Sequence, residues 1–179
     1  MILAVDNGSS YTDVLVRELG AVGDVDAMSH DAVDLDNVGG YSHYILSGRR
    51  RNNEGMNTTN AGIIKFALAN NKPLLGICYG AEMLALVAGG TIRRMPSRAQ
   101  GRCQVYADYN PLCSGTLEVY ERHAYEIARI PPPLVSVGRS ASCANEIIRY
   151  GSAPIYGVQF HPEMTPDGIT MIRRFVSQA

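Results

Sequence analysis

Apolar and polar positions in this chain alternate between two rhythms. Met1 to Asp6 is an unbroken apolar run of strand length, and Tyr11 to Leu19 follows with helical spacing after a Gly8-Ser9-Ser10 turn whose serines suit a helix start. Val22 to Met28 and Tyr44-Ile45-Leu46-Ser47 are the next strand candidates. Ile63, Ile64, Ala67 and Leu68 then set a helical stripe over Asn60 to Asn70, with Thr58 or Thr59 as its cap. Pro73 to Ile77 reads as a buried strand, and Glu82 to Ala88 as a helix close behind it. A β-α-β-α order of this kind predicts a parallel sheet with helices on both faces.

The later half changes rhythm. Gly101 to Ala107, Leu117 to Arg122, Leu134 to Arg139, Ala144 to Tyr150 and Pro154 to Val158 are short strand-like runs, separated by Asn110-Pro111, Pro131-Pro132-Pro133 and Gly151-Ser152. They predict a smaller antiparallel or mixed sheet beside the main one. Asp167 to Gln178 closes the pattern as an amphipathic helix with Ile169, Ile172, Phe175 and Val176 on one side. The expected fold class is therefore α/β: an open, mostly parallel sheet in flavodoxin-like layering, plus a small antiparallel sheet. One domain over residues 1–179 is expected, with no repeats or linkers.

The junction at Pro73–Glu82 carries the chemistry. There the strand-like run meets Gly76-Ile77-Cys78-Tyr79-Gly80 and passes at once into a helix, the layout of a nucleophile elbow, a sharp turn that lifts one side chain above the sheet. The glycines leave room for two close backbones, and the helix start favours a thiolate or an oxyanion beside Cys78. A base is available at His161-Pro162-Glu163. With Pro162 opposing helix, an extended segment would point His161 and Glu163 the same way, and Glu163 could hold the imidazole in the tautomer that serves Cys78. Residue types alone support acyl transfer by a thiol, with the Tyr79 backbone N–H as one oxyanion donor; they leave a peptidase or another amidase open.

These two segments, with Val5-Asp6-Asn7-Gly8, Ile45-Leu46-Ser47-Gly48, Glu121-Arg122-His123 and Ile155-Tyr156, resemble the class I (triad) glutamine amidotransferases along nearly the whole chain. Within that class the chain is most similar to the free-standing glutaminase subunits of archaeal two-subunit GMP synthases. The resemblance implies glutamine as substrate and ammonia as product. It implies as partner a separate ATP pyrophosphatase/synthetase subunit that uses ATP and Mg to convert XMP to GMP, with no cofactor in this chain. It also implies a second oxyanion donor at Gly48 or Arg49, and glutamine contacts at Glu82 and His123.

Three departures from the family pattern stand out. Ser47-Gly48-Arg49-Arg50 replaces Ser-Gly-Gly-Pro, Glu82 replaces a glutamine, and Arg122-His123-Ala124-Tyr125 keeps the histidine of Ser-His-x-Asp without the acid. Arg49 lacks glycine's access to positive φ, which predicts an oxyanion hole that a partner must complete. The alternatives are a component of anthranilate or aminodeoxychorismate synthase, and a silent regulatory relative.

Composition narrows the setting. Hydrophobic residues make up 46% and charged residues 18%, with a net charge of −1, which gives no electrostatic case for nucleic acid or membrane binding. No apolar run approaches the roughly 20 residues of a membrane span, and Met1 to Asp6 lacks a basic leader. Cys78, Cys103, Cys113 and Cys143 show no Cys-x-x-Cys spacing, so neither a disulfide framework nor a metal is expected, and a reducing cytoplasmic setting is. His30 and His43 read as surface or satisfied histidines. Arg49-Arg50-Arg51 reads as a solvated loop or a docking edge, which Arg93, Arg94, Arg98 and Arg102 would extend.

Overall fold

The computed structural model describes residues 1–178. Its parallel strands are β1 (Ile2–Asn7), β2 (Val25–Ser29), β3 (His43–Arg49), β4 (Leu74–Ile77) and β9 (Ile155–Val158). Their order is β2-β1-β3-β4-β9, all pairs parallel. These strands are apolar on both faces because helices cover both. Leu15 and Leu19 of α1 (Thr12–Gly20) pack with Met171, Ile172 and Phe175 of α4 (Pro166–Val176) on one face, against Ile2, Ala4, Ile45, Leu75, Ile77, Tyr156 and Val158. The other face seats Ile63, Ile64 and Ala67 of α2 (Glu54–Asn70) and Ala81, Leu84 and Ala85 of α3 (Tyr79–Val87) on Leu3, Val5, Tyr44, Leu46, Leu74 and Ile155. The strict period of two along each strand makes this possible.

Four antiparallel strands continue from β9: β8 (Ile147–Tyr150), β7 (Leu134–Arg139), β5 (Thr91–Ala107) and β6 (Gly115–Arg129). The class is the expected α/β, but the antiparallel strands extend the main sheet, giving nine strands in one, where a separate small sheet was anticipated. The reason is a local pairing: β8 lies antiparallel on β9 from Ile147–Val158 to Arg149–Tyr156, so the sheet does not break there.

Other boundaries also move. α2 begins at Glu54, capped by Asn53 Oδ1 accepting the Met56 N–H at 3.0 Å, so neither Thr58 nor Thr59 is its cap. Thr58 instead donates back to the Glu54 carbonyl inside the helix. β2 starts three residues late because the N–H groups of Val22 and Gly23 still close the end of α1 on Leu19. β5 and β6 form a 17- and 15-residue hairpin that absorbs the arginine-rich stretch Thr91–Gln100 and His123–Arg129. Pro96 falls inside the interval Arg94–Ala99 where the register shifts, a position that can spare an N–H.

Candidate active site

β4 ends at Ile77 and α3 starts at Tyr79, leaving Cys78 alone at the turn with φ 51° and ψ −102°. Positive φ at a non-glycine residue costs on the order of 1–3 kcal/mol and persists only when its surroundings impose it. Here they do. The Cys78 N–H donates to the Val158 carbonyl at 2.7 Å, and its carbonyl accepts from Glu82 N–H at 3.0 Å. A Cβ on Gly76 would stand 2.5 Å from the Gly80 backbone, and one on Gly80 would stand 2.5 Å from the Leu46 carbonyl oxygen, so the elbow closes only with glycine at both positions. The helix accordingly begins three residues earlier than the apolar run from Glu82 suggested.

Burial pushes the Cys78 thiol well up, Glu82 and then Glu163 add to the effect, and the Tyr79 N–H and Arg49 oppose it. The resting sulfur is therefore a protonated thiol that needs a base at the moment of attack. His161 is positioned for that role. A Cβ built on Gly48 would meet His161 Cε1 at 2.9 Å and Cys78 Cβ at 3.6 Å, so the imidazole, the thiol-bearing carbon and the loop after β3 converge on one point.

His161 and Glu163 meet, but not as an extended pair. Residues Pro162–Met164 form a 3-10 turn with Pro162 at its first position, and only His161 is extended. A proline fits the start of a helical turn because its missing N–H would have no partner there. The turn brings Glu163 Oε1 to 2.9 Å from His161 Nδ1. Both groups are buried, with side chains 5% and 2% exposed. The acid fixes Nδ1 as the protonated nitrogen, which leaves Nε2 as the basic one. Two contacts that the sequence did not reveal hold the ring: the Tyr11 ring edge-on at 4.6 Å, and a bond from the His161 N–H to the Tyr120 carbonyl at 2.8 Å.

A cavity of about 510 Å³ opens over Cys78, lined by Tyr79, Glu82, Arg49, Arg98, Arg122 and His123 among others. Glu82 is 5% exposed, and burial raises its carboxyl to about 7 against the opposing pull of Arg49, whose guanidinium lies 4.0 Å away. Near neutrality it is thus a part-protonated carboxyl, close in shape and hydrogen bonding to the glutamine usual in the family. Arg49 stacks over the Tyr79 ring at 4.3 Å and bonds to Asn52 and Asn57, while Tyr79 Oη donates to Asn57 Oδ1 at 2.7 Å. Asn52 and Asn57 are supporting residues that no sequence motif marked.

The Gly48–Arg49 backbone stays in strand geometry: neither residue has positive φ, and Arg49 is bridged to Gly8. Of the anticipated basic edge, Arg98 joins Arg49, Arg50 and Arg51 around the cavity, and Arg122 is added to it. Arg93 and Arg102 do not join, being paired with Glu126 and Glu118 across the hairpin. His43 is satisfied between Ser42 Oγ and the Gln178 carbonyl. A larger cleft, about 780 Å³, lies near Asp6, Gly8, His30 and Asn53 and contains none of the Cys78, His161 and Glu163 group. Among the described residues no helix is long and apolar enough to cross a membrane.

A thiol at a strand-to-helix elbow, with a carboxylate-held imidazole beside it on a parallel sheet, defines an α/β enzyme of the cysteine-dependent acyl-transfer kind. The chain belongs to the class I glutamine amidotransferase family, whose sequence pattern matches residues 3–179. It is 30% identical to the free-standing glutamine-hydrolyzing GMP synthase subunit of Pyrococcus furiosus, over 98% of this chain and 96% of that one. It is 31% identical to the GMP synthase of Vesicomyosocius okutanii, where it covers 98% of itself but spans only 36% of the relative's length. A crystal structure described as a candidate for the corresponding GMP synthase subunit of Thermoplasma acidophilum superposes with a TM-score of 0.87 at 28% identity, covering 98% of this chain and 91% of that one.

Proposed function

We propose that this chain hydrolyses glutamine and passes the ammonia to a separate ATP-dependent synthetase subunit that converts XMP to GMP. The observation that carries the chemistry is the convergence of His161 and Cys78 on Gly48, with Glu163 2.9 Å behind the imidazole. In the proposed cycle His161 Nε2 takes the thiol proton as Cys78 Sγ attacks the side-chain amide carbon. The oxyanion forms against the Tyr79 N–H, the first free donor of α3. His161 then protonates the departing nitrogen, ammonia leaves, and water activated by the same imidazole hydrolyses the thioester to glutamate. Glu163 keeps the imidazole oriented and offsets its transient charge. Glu82 and His123 line the cavity and are assigned to binding glutamine. A reducing cytoplasm suits a free thiol at this position.

The partner assignment rests on similarity to relatives that are named as one subunit of a GMP synthase, and the arginines around the cavity mouth offer a surface for an acidic contact. The test pairs two assays on Cys78→Ala in the presence of the synthetase partner, ATP and XMP. Glutamine-dependent GMP formation is expected to fall by at least about 10⁴-fold, as for loss of other activated nucleophiles. Synthesis from added ammonium salt should persist. Retained glutaminase activity would remove Cys78 from the role of nucleophile, and failure to support GMP formation with either nitrogen source would remove the synthetase as partner.

A further inference from the structure

The core-facing side of β6 runs Leu117, Val119, Glu121, His123, and the last two place ionisable groups where the strand's alternation calls for apolar ones. Glu146, just ahead of β8, joins them. A ligand-capable atom from each of Glu121, His123 and Glu146 lies within 4.8 Å of those of the other two. All three residues are buried, at 4%, 4% and 0% exposure.

Their hydrogen bonding is incomplete in a particular way. His123 Nδ1 donates to the Tyr125 carbonyl at 2.8 Å, which fixes the tautomer and leaves Nε2 with a free lone pair. Ser140 Oγ donates to Glu146 Oε1 at 2.7 Å. Glu121 Oε1, His123 Nε2 and Glu146 Oε2 are buried with no hydrogen-bond partner. An orphaned buried polar atom costs about 1–3 kcal/mol, and more for a charged group. Among the described residues the neighbouring Glu126 has Arg93 at 2.7 Å, whereas neither Glu121 nor Glu146 has an arginine or lysine within ion-pair distance. Two carboxylates and one lone pair thus share a dry space with no cation of the protein's own.

We propose that Glu121, His123 and Glu146 form a structural binding site for a divalent first-row cation, zinc being the ion whose ligand preferences they match. One imidazole nitrogen and two carboxylate oxygens are ordinary zinc donors at about 2.0–2.2 Å, so donors on either side of an ion stand up to roughly 4.2 Å apart. The observed span needs a contraction of no more than about half an ångström to reach that. Two carboxylates neutralise the ion, as a buried site requires. The Cys103 thiol, which lies against Glu121, or a water molecule would complete four-coordination. Cys-x-x-Cys spacing gave no hint of this because the donors come from β6 and from the turn before β8. Since His123 also lines the cavity over Cys78, an ion here would hold that wall of the cavity in place. The proposal does not depend on the identity of the substrate or partner.

The test uses the full chain stripped with a chelator, desalted, and titrated with zinc chloride. Bound metal is measured after gel filtration, and Tm is measured in parallel. Zinc retained at about one per chain, with a rise in Tm, is expected. Glu121→Gln and Glu146→Gln, near-isosteric changes, should abolish both responses, whereas Glu118→Gln on the outer face of β6 should keep them. Should the two inner variants fail to fold, zinc-edge absorption on the wild-type chain decides: nitrogen and oxygen neighbours at about 2.0–2.2 Å support the site, and sulfur-only ligation overturns it. Wild-type chain that retains no zinc also overturns it, and leaves Glu121 and Glu146 as a proton-sharing pair.

Discussion

The two halves of the sheet are built by different rules. Strands β1, β3, β4 and β9 are four to seven residues long, and nearly all their side chains are buried. The β5–β6 hairpin is two to four times as long, with its outer face in solvent from Ala99 onward. The parallel half supplies the elbow, the loop at Gly48 and, at the end of β9, His161. The hairpin half supplies Arg98, Arg122 and His123 around the cavity. Groups that must be held to a fraction of an ångström thus stand where packing on both faces over-determines the backbone. Groups that meet a ligand or another chain stand on a ribbon anchored along one edge. The contrast explains how Cys78 can hold a strained φ of 51°: its neighbours above and below leave no alternative.

The largest effect that would sharpen this comparison is at the end of β9. His161→Ala should be nearly as damaging as loss of the nucleophile, while Glu163→Gln should be milder by about 10²-fold, since the acid orients the base without moving protons itself. Single-turnover trapping of the thioester would measure it. Normal acylation without His161 would shift the base to the hairpin half, with His123 the first residue to examine.

A smaller effect concerns the boundary between the halves. Gly48 and Arg49 remain in strand geometry, so the isolated chain should be a poor glutaminase whose second oxyanion donor awaits the partner. One missing donor costs about 10²–10³-fold in kcat. Adding the synthetase partner with its nucleotide should therefore raise steady-state glutaminase rates by at least roughly tenfold. Equal rates with and without partner would mean that the strand geometry at Arg49 is already competent.

The smallest effect is at Glu82. Its carboxyl stands at about 7 in the folded chain against an ordinary 4.5, mainly through burial. The folded state therefore binds more protons than the unfolded one between those values, and stability falls as pH rises through that window. The loss amounts to about 3 kcal/mol at most. Glu82→Gln should remove it, so the variant's stability gain over wild type should grow from pH 4.5 to pH 7 and then level off. Denaturant unfolding at several pH values measures this. The same variant should bind glutamine at least as well near neutrality; a raised KM with the fold intact would show the carboxylate itself to be a ligand.

What could be read along the chain is what neighbouring residues decide. The apolar period of β1, β3 and β4, the Gly76-x-Cys78-x-Gly80 turn and the closeness of His161 to Glu163 depend on side-chain alternation, backbone sterics and short spacing. All were legible in the order of residues. Tertiary structure decided the rest. The 3-10 turn at Pro162 replaced an extended segment because the packed end of β9 sets its direction, and the arginine-rich start of β5 became a strand only by pairing with β6. Arg49 found Tyr79, Asn52 and Asn57 rather than open solvent. Glu121, His123 and Glu146 came together from two separate segments, with nothing in either to announce the other. Burial and pairing between residues far apart in sequence set these features, and no local pattern encodes which distant groups will share a dry interior.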